Sequence, residues 1–315
     1  MPHSLSSARP AFDFCARSRF LFADVFMIPL RLRILLWLAA LALFFAVAVY
    51  PVSNLLTRVA GVILALVVRL GLLGLCWKQR VARWTLLALT AAAAVFLGLP
   101  SRALPAAEIL RADYVHALKR YDRIPYVWGG ESIKGIDCSG LIRRGLIDSL
   151  FLGGVRALDH GRVRHALALW WQDSTAKALG VGTGGKTVPV LEAPSINQID
   201  HRQLQPGDLA VTTTGTHILA YLGEQTWIQA DPGESRVVTL VVPEKDNIWF
   251  RAPVRVMRWA VLTRCPLTPK FLRRNLLARR LGGHGARILN NRRRGLCDFA
   301  RASRSAGTSV FGLNR

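Results

Sequence analysis

The 315-residue sequence predicts an α+β domain preceded by an N-terminal transmembrane helical region. Three observations carry this prediction. Three apolar stretches separated by basic residues fill the first third of the chain. A cysteine then sits at a turn-to-helix junction, and three short β-prone runs divided by turn residues read as an antiparallel meander. The expected organisation is a disordered basic leader at 1–30, a transmembrane region of two to three helices at 31–104, an α+β domain at 105–262 with an insert at about 150–200, and a basic tail, disordered, at 263–315.

Residues 1–26 lack a periodic pattern, and Met27 followed by IPLRLRILLW makes a more ordinary beginning. Ile34 to Val52 is 19 residues without a charge, long enough to cross a bilayer. Val59 to Trp77 is a second span, interrupted by Arg69, which is costly near a bilayer centre unless it snorkels or faces other helices. Trp84 to Leu99 is a shorter third. Arg31 and Arg33 precede the first span, and Lys78, Arg80 and Arg83 lie between the second and third. The positive-inside rule sends both clusters to the cytoplasm, which three spans satisfy together. Everything after Leu99 then lies beyond a multi-pass cytoplasmic (inner) membrane, on the periplasmic or extracytoplasmic side. Two spans would misplace one basic cluster. A cleaved signal peptide does not fit three apolar stretches. Residues 100–108, PSRALPAAE, read as the linker into the domain.

The net charge of +23 would ordinarily suggest nucleic acid. Its distribution argues otherwise. Residues 1–104 hold 11 Lys/Arg against 2 acids and residues 263–315 hold 13 against 1, whereas residues 105–262 hold 18 against 16. The middle is nearly neutral and the excess sits at the ends, so nucleic acid is not an expected partner; nor is a nucleotide, because the phosphate-loop pattern at 180–187 follows a helical pattern instead of a strand. Cysteines 15, 76, 138, 265 and 297 form no CxxC or zinc spacing, though Cys265 and Cys297 are able to pair in an oxidising compartment. His160, His165 and His201 fit no ligand pattern and read as surface or loop residues. No metal and no cofactor is expected.

Residues 126–141 read YVWGGESIKGIDCSGL. Gly129, Gly130 and Gly135 mark tight backbone, and LIRRGLIDSLF after Cys138 reads as helix. Cys138 thus falls at a helix N-terminus, where the positive dipole end favours thiolate. Downstream, LQPGDLAVTTTGTHILAYLGEQTWIQADPGE holds β-prone runs at 208–213, 217–222 and 226–230. His217 opens the second run and Gln229 lies near the end of the third. Neighbouring strands of a meander bring such residues side by side.

YVWGG…GIDCSGL, then LQPGDLAV, then HILAYLG…WIQA resembles the NlpC/P60 family of papain-like cysteine peptidases over roughly residues 112 to 260. The resemblance implies a papain-like fold, with the helix-borne cysteine packed on an antiparallel sheet. It implies Cys138 as nucleophile, His217 as base and Gln229 as the orienting residue. It also implies that Tyr126 lines the substrate cleft, and that Asp137 and Ser139 help hold the free amino terminus of a peptide. The substrate class it implies is the peptide stem of peptidoglycan, at the bond between γ-D-glutamyl and a diamino acid. The chemistry is consistent. A thiol needs an imidazole to take its proton, the imidazole needs an orienting partner, and first-turn amides lack helical partners and suit an oxyanion.

Blander readings stand beside these. Gln229, next to Asp231-Pro232, is able simply to satisfy backbone, and Tyr126 and Trp128 read as packing residues. The 79-residue separation of Cys138 and His217 points to the insert, where VRHALALWWQDSTAKAL (163–179) reads as one extra amphipathic helix. Its Trp170 and Trp171 cap the cleft, rest on a membrane surface or, more simply, pack on the core. GVGTGGKT (180–187) fits the phosphate-loop pattern letter for letter. Such a loop must leave a strand and open a helix; here a helical pattern precedes it, so it reads as a flexible surface loop. In the tail, KFLRRNLLARRLGGHGARIL reads either as a basic amphipathic helix on an anionic surface or as disordered. The alternatives to a peptidase are a Cys–His amidase or acyltransferase on a lipid or other acyl amide, and a non-catalytic wall-binding module.

Overall fold

The computed structural model describes residues 29–100 and 104–263. The expected leader and tail, with Cys15, Cys265 and Cys297, lie outside the described residues. The chain divides into two compact units, one up to Phe96 and one from Leu97 onward.

The first unit holds three helices, α1 (Leu30–Val49), α2 (Leu55–Leu75) and α3 (Arg80–Gly98), each long and apolar enough to cross a membrane. At ~1.5 Å per residue each covers roughly 30 Å, the thickness of a hydrocarbon core. Each begins a few residues earlier than the uncharged runs suggest, because basic side chains at the ends belong to the same helices. Asn54 starts α2 through a capping box: its side chain accepts from Thr57 N–H at 2.9 Å, and its own N–H donates to the Thr57 hydroxyl at 2.9 Å. The Trp37 indole N–H donates to the Val68 carbonyl at 2.9 Å. Gly71 permits that approach, since a Cβ there would lie 2.7 Å from the indole ring. Arg69 turns its guanidinium onto the Leu86 carbonyl and Thr90 hydroxyl of α3. The charge that interrupts the second span therefore faces another helix.

The second unit opens with α4 (Ala107–Lys119), which begins inside the expected linker. Tyr114 on α4 is fully buried, donating to the Ile142 carbonyl at 3.1 Å and accepting from the Trp259 indole at 3.2 Å. A small hairpin of β1 (Glu131–Ser132) and β2 (Gly135–Ile136) leads into α5 (Cys138–Arg156). The expected insert follows as two helices, α6 (His160–Trp171) and α7 (Ala176–Gly180), not one. The break at 172–175 has a cause in the sequence: the Thr175 hydroxyl caps α7 through Ala178 N–H at 3.2 Å, as the Asp159 carboxylate caps α6 through Gly161 and Arg162. Trp170 packs against the core and Trp171 is exposed. His160 is buried at the start of α6 and so is not a surface residue, whereas His201 is half-buried in a connecting turn before β4, against Tyr221 and Trp227.

The remaining strands are β3 (Thr187–Ala193), β4 (Leu209–Thr212), β5 (Ile218–Gly223), β6 (Thr226–Asp231), β7 (Arg236–Val241) and β8 (Val254–Trp259), with a short helix α8 (Ile248–Arg251) before β8. They form one antiparallel sheet of order β3-β8-β4-β5-β6-β7. The meander β4–β5–β6 is thus observed, extended by β7. Period-two alternation divides the sheet residues between two cores. Leu209, Val211, Ile218, Ala220, Ile228 and Ala230 face α4 and α5; Ala210, Leu219, Tyr221 and Trp227 pack with Phe250 and Val256 on the other side. The GVGTGGKT turn runs from α7 into β3, the reverse of a phosphate loop.

Candidate active site

Asp137 is the N-cap of α5, and its carboxylate holds the turn that presents Cys138. One oxygen accepts from Gly140 N–H at 2.6 Å and from the Ser139 hydroxyl at 3.0 Å; the other accepts from Gly129 N–H at 2.9 Å. Glycine at 140 is obligatory, because a Cβ there would lie 2.1 Å from the Gly130 carbonyl oxygen. Gly140 N–H is consumed by the cap, whereas the N–H groups of Cys138 and Ser139 turn to the sulfur, joined by that of Ile218 from β5.

His217 immediately precedes β5 and is pinned to the end of β4: its N–H donates to the Thr212 hydroxyl and its carbonyl accepts from Thr212 N–H, both at 3.1 Å. Its Nε2 lies 2.8 Å from Gln229 Oε1, with both side chains buried. The amide nitrogen of Gln229 donates to Asp231 at 2.9 Å. Trp249 of α8 stacks on the imidazole at 4.1 Å between centroids and 18° between planes. Gln229 and His217 are therefore bonded to each other, and Cys138 reaches the same end of β5 through the Ile218 N–H.

The electrostatics differ from the sequence expectation of a resting thiolate. Burial, and then the Asp137 charge, push the Cys138 thiol up to about 12, against the pull of its three backbone donors. Burial takes His217 down to about 4, despite Gln229 and the Asp231 charge pulling upward. Both shifts favour the neutral form, a thiol at Cys138 and an uncharged imidazole at His217. Tyr126, half-buried against the core, is raised to about 12 by burial and by Cys138, Asp137 and Asp231. Trp128 is 81% exposed and so is not a packing residue. Sequence reasoning missed Asn247 and Trp249, the N-cap and second residue of α8. An Asn two residues before a Trp carries only a helix-cap signal.

Residues 123–258 match the model of the NlpC/P60 family. No curated protein matches the chain. Among solved structures, an NlpC/P60 family protein from Bacillus cereus ATCC 10987 is 20% identical with a TM-score of 0.31, over 51% of this chain and 41% of that one. The peptidoglycan hydrolase RipB from Mycobacterium tuberculosis is 17% identical with a TM-score of 0.31, over 48% and 67%. The NlpC/p60 domain of the peptidoglycan hydrolase SagA is 24% identical with a TM-score of 0.28, over 46% and 97%. The chain spans less than half the length of the Bacillus cereus protein.

Proposed function

Taking residues 123–258 as an NlpC/P60 domain, we propose that the chain is a membrane-anchored cysteine peptidase. Its substrate is the peptide stem of peptidoglycan, cut between γ-D-glutamyl and a diamino acid, and Cys138, His217 and Gln229 carry the reaction. The observation that supports this best is the buried 2.8 Å bond from His217 to Gln229, with the N–H of Ile218, the residue after His217, turned to the sulfur of Cys138 at the α5 N-terminus. With Nε2–H given to Gln229, Nδ1 of His217 is the free base. It takes the thiol proton as the sulfur attacks the scissile carbonyl carbon, forming the C–S bond. The oxyanion is met by the N–H of Cys138, a first-turn amide with no helical partner, which leaves the sulfur as the C–S bond forms. Collapse of the tetrahedral species breaks the C–N bond, the imidazolium protonates the leaving amine, and water then hydrolyses the thioester.

Asp137 and Ser139 supply the acceptors for a peptide ammonium group. An ammonium there also offsets the Asp137 charge that raises the thiol, so substrate binding favours ionisation of Cys138. The three apolar helices and their basic flanks support an anchored protein with its domain outside the cytoplasmic membrane, where the wall lies.

The full-length protein in detergent micelles, incubated with purified sacculi, is expected to release stem-peptide fragments identified by mass, and the Cys138→Ala variant none. Release of fatty acid from acyl-amide lipids with intact sacculi would overturn the wall substrate in favour of a lipid amidase. Wild-type release by Cys138→Ala would overturn the nucleophile.

A further inference from the structure

The orienting partner of His217 is itself ambiguous. A glutamine presents an oxygen or an NH2 at nearly the same place, and a half-turn of its amide exchanges them. The oxygen toward Nε2 makes that nitrogen the proton carrier and leaves Nδ1 as base. The NH2 toward Nε2 forces the opposite tautomer and gives the thiol no acceptor on Nδ1. Nothing in Gln229 selects between them; its surroundings do. Asp231 is 3% exposed and presents only acceptor oxygens. Its Oδ2 takes the Gln229 NH2 at 2.9 Å, and a flipped amide would set two oxygens against each other in a buried site.

Asp231 is in turn fixed. Gly233 N–H donates to its Oδ1 at 2.8 Å from the β6–β7 turn, and the Asn247 side-chain NH2 donates to its Oδ2 at 2.6 Å. Asn247 is also the N-cap of α8, accepting from Trp249 N–H at 3.1 Å, and Trp249 stacks on His217. His217, Gln229, Asp231, Asn247 and Trp249 close a ring of contacts that holds the imidazole by its edge and by its face.

Resting on the peptidase reading above, the geometry points to Asp231 as a positioning residue for the reaction. It fixes the amide of Gln229 so that His217 keeps its proton on Nε2 and offers Nδ1 to Cys138, and Asn247 holds Asp231 in place. Asp231 touches neither the substrate nor the sulfur in this scheme; it acts through Gln229.

The test is the rate at which iodoacetamide alkylates Cys138 in the full-length detergent-solubilised protein at neutral pH, followed by the mass of the Cys138 peptide. This readout needs no peptide substrate. Asp231→Asn offers the Gln229 amide a donor as readily as an acceptor. It is expected to slow alkylation by about tenfold, the scale of lost outer-shell support, with the melting temperature held. In a Gln229→Ala background, itself slowed about 10–100-fold, it is expected to add nothing, because the amide it orients is gone. Slowing by His217→Ala with no change in Asp231→Asn would overturn the proposal alone. A full additional loss in the Gln229→Ala background would also overturn it. Alkylation indifferent to His217→Ala would instead overturn the Cys–His reading on which it rests. If Asp231→Asn fails to fold, Asn247→Ser decides. It keeps a cap for α8 but loses the Asp231 donor, and is expected to slow alkylation severalfold; the wild-type rate there overturns the proposal.

Discussion

Replacement of Arg143 by Met removes a buried charge from α5, the helix that begins at Cys138. The Arg143 side chain is 5% exposed, and its Nη1 meets Glu131 Oε1 at 2.9 Å and Asp173 Oδ1 at 2.7 Å. Its Nη2 donates to the carbonyls of Leu169 at 2.9 Å and Gln172 at 3.2 Å. One guanidinium thus ties α5 to the β1 hairpin and to the end of α6. Breaking a buried pair by removing one partner costs about 3–5 kcal/mol, mostly through the charge left behind. Here that charge is Glu131, whose side chain is 4% exposed, while Asp173 at 60% regains water. Arg144 also feels Glu131, which moves the cost toward the lower end, about 3 kcal/mol. Methionine retains most of the aliphatic packing. For a domain of this size each kcal/mol is worth roughly 2–4 °C, so the expected loss is on the order of 10 °C in melting temperature. Adding Glu131→Gln removes the stranded charge and should restore about half of that loss. Thermal unfolding by intrinsic fluorescence reads both variants. A single variant within 2 °C of wild type, or a double variant no better than the single, would refute this reasoning.

Two further expectations follow from the site and from the helices. His217 has a folded pKa near 4, below its ordinary value of 6.5, so its contribution to stability is present above pH 6.5 and is lost as pH falls toward 4. The loss amounts to about 3 kcal/mol; urea midpoints measured from pH 7 to 4 should show it, and a His217→Ala variant with an undiminished slope would contradict it. Reporter fusions after Trp77 are expected to read cytoplasm and fusions after Pro105 the outer side; a cytoplasmic signal after Pro105 would remove both the three-span topology and the wall substrate.

What the sequence made legible was local. The α5 start shows in DCSG because a carboxylate before a small-residue helix start is a cap, and β4 to β6 show because their apolar residues alternate between turn signals. The three helices long and apolar enough to cross a membrane show by length and scarcity of charge. What stayed hidden depends on distant partners. The start of α4 was read as the end of the linker because its buried face, Ala107, Leu110, Tyr114, Ala117 and Leu118, is defined only by α5 and the sheet. Thr175 was read as a mid-helix residue, although its hydroxyl is a cap. The dipole argument for a thiolate at Cys138 was sound as far as it went. Burial and the charge of the capping Asp137 outweigh it, and burial is not a property of a local stretch.

Strand β8 is last in sequence but lies between β3 and β4 in space. This sets an order in time. While the chain is being made, β3 has no strand to pair with until β8 emerges, and β4 keeps one open edge. Tyr114, fixed early in the domain, waits for Trp259, the final residue of β8, to complete its buried polar contacts. No shorter stretch closes the sheet, because only β8 joins β3 to the β4–β7 meander. The loop that delivers Trp249 to His217 arrives in the same interval, just before β8. Cys138, made more than a hundred residues before Trp249, therefore shares the domain with a fully clamped His217 only once the chain has reached α8 and β8.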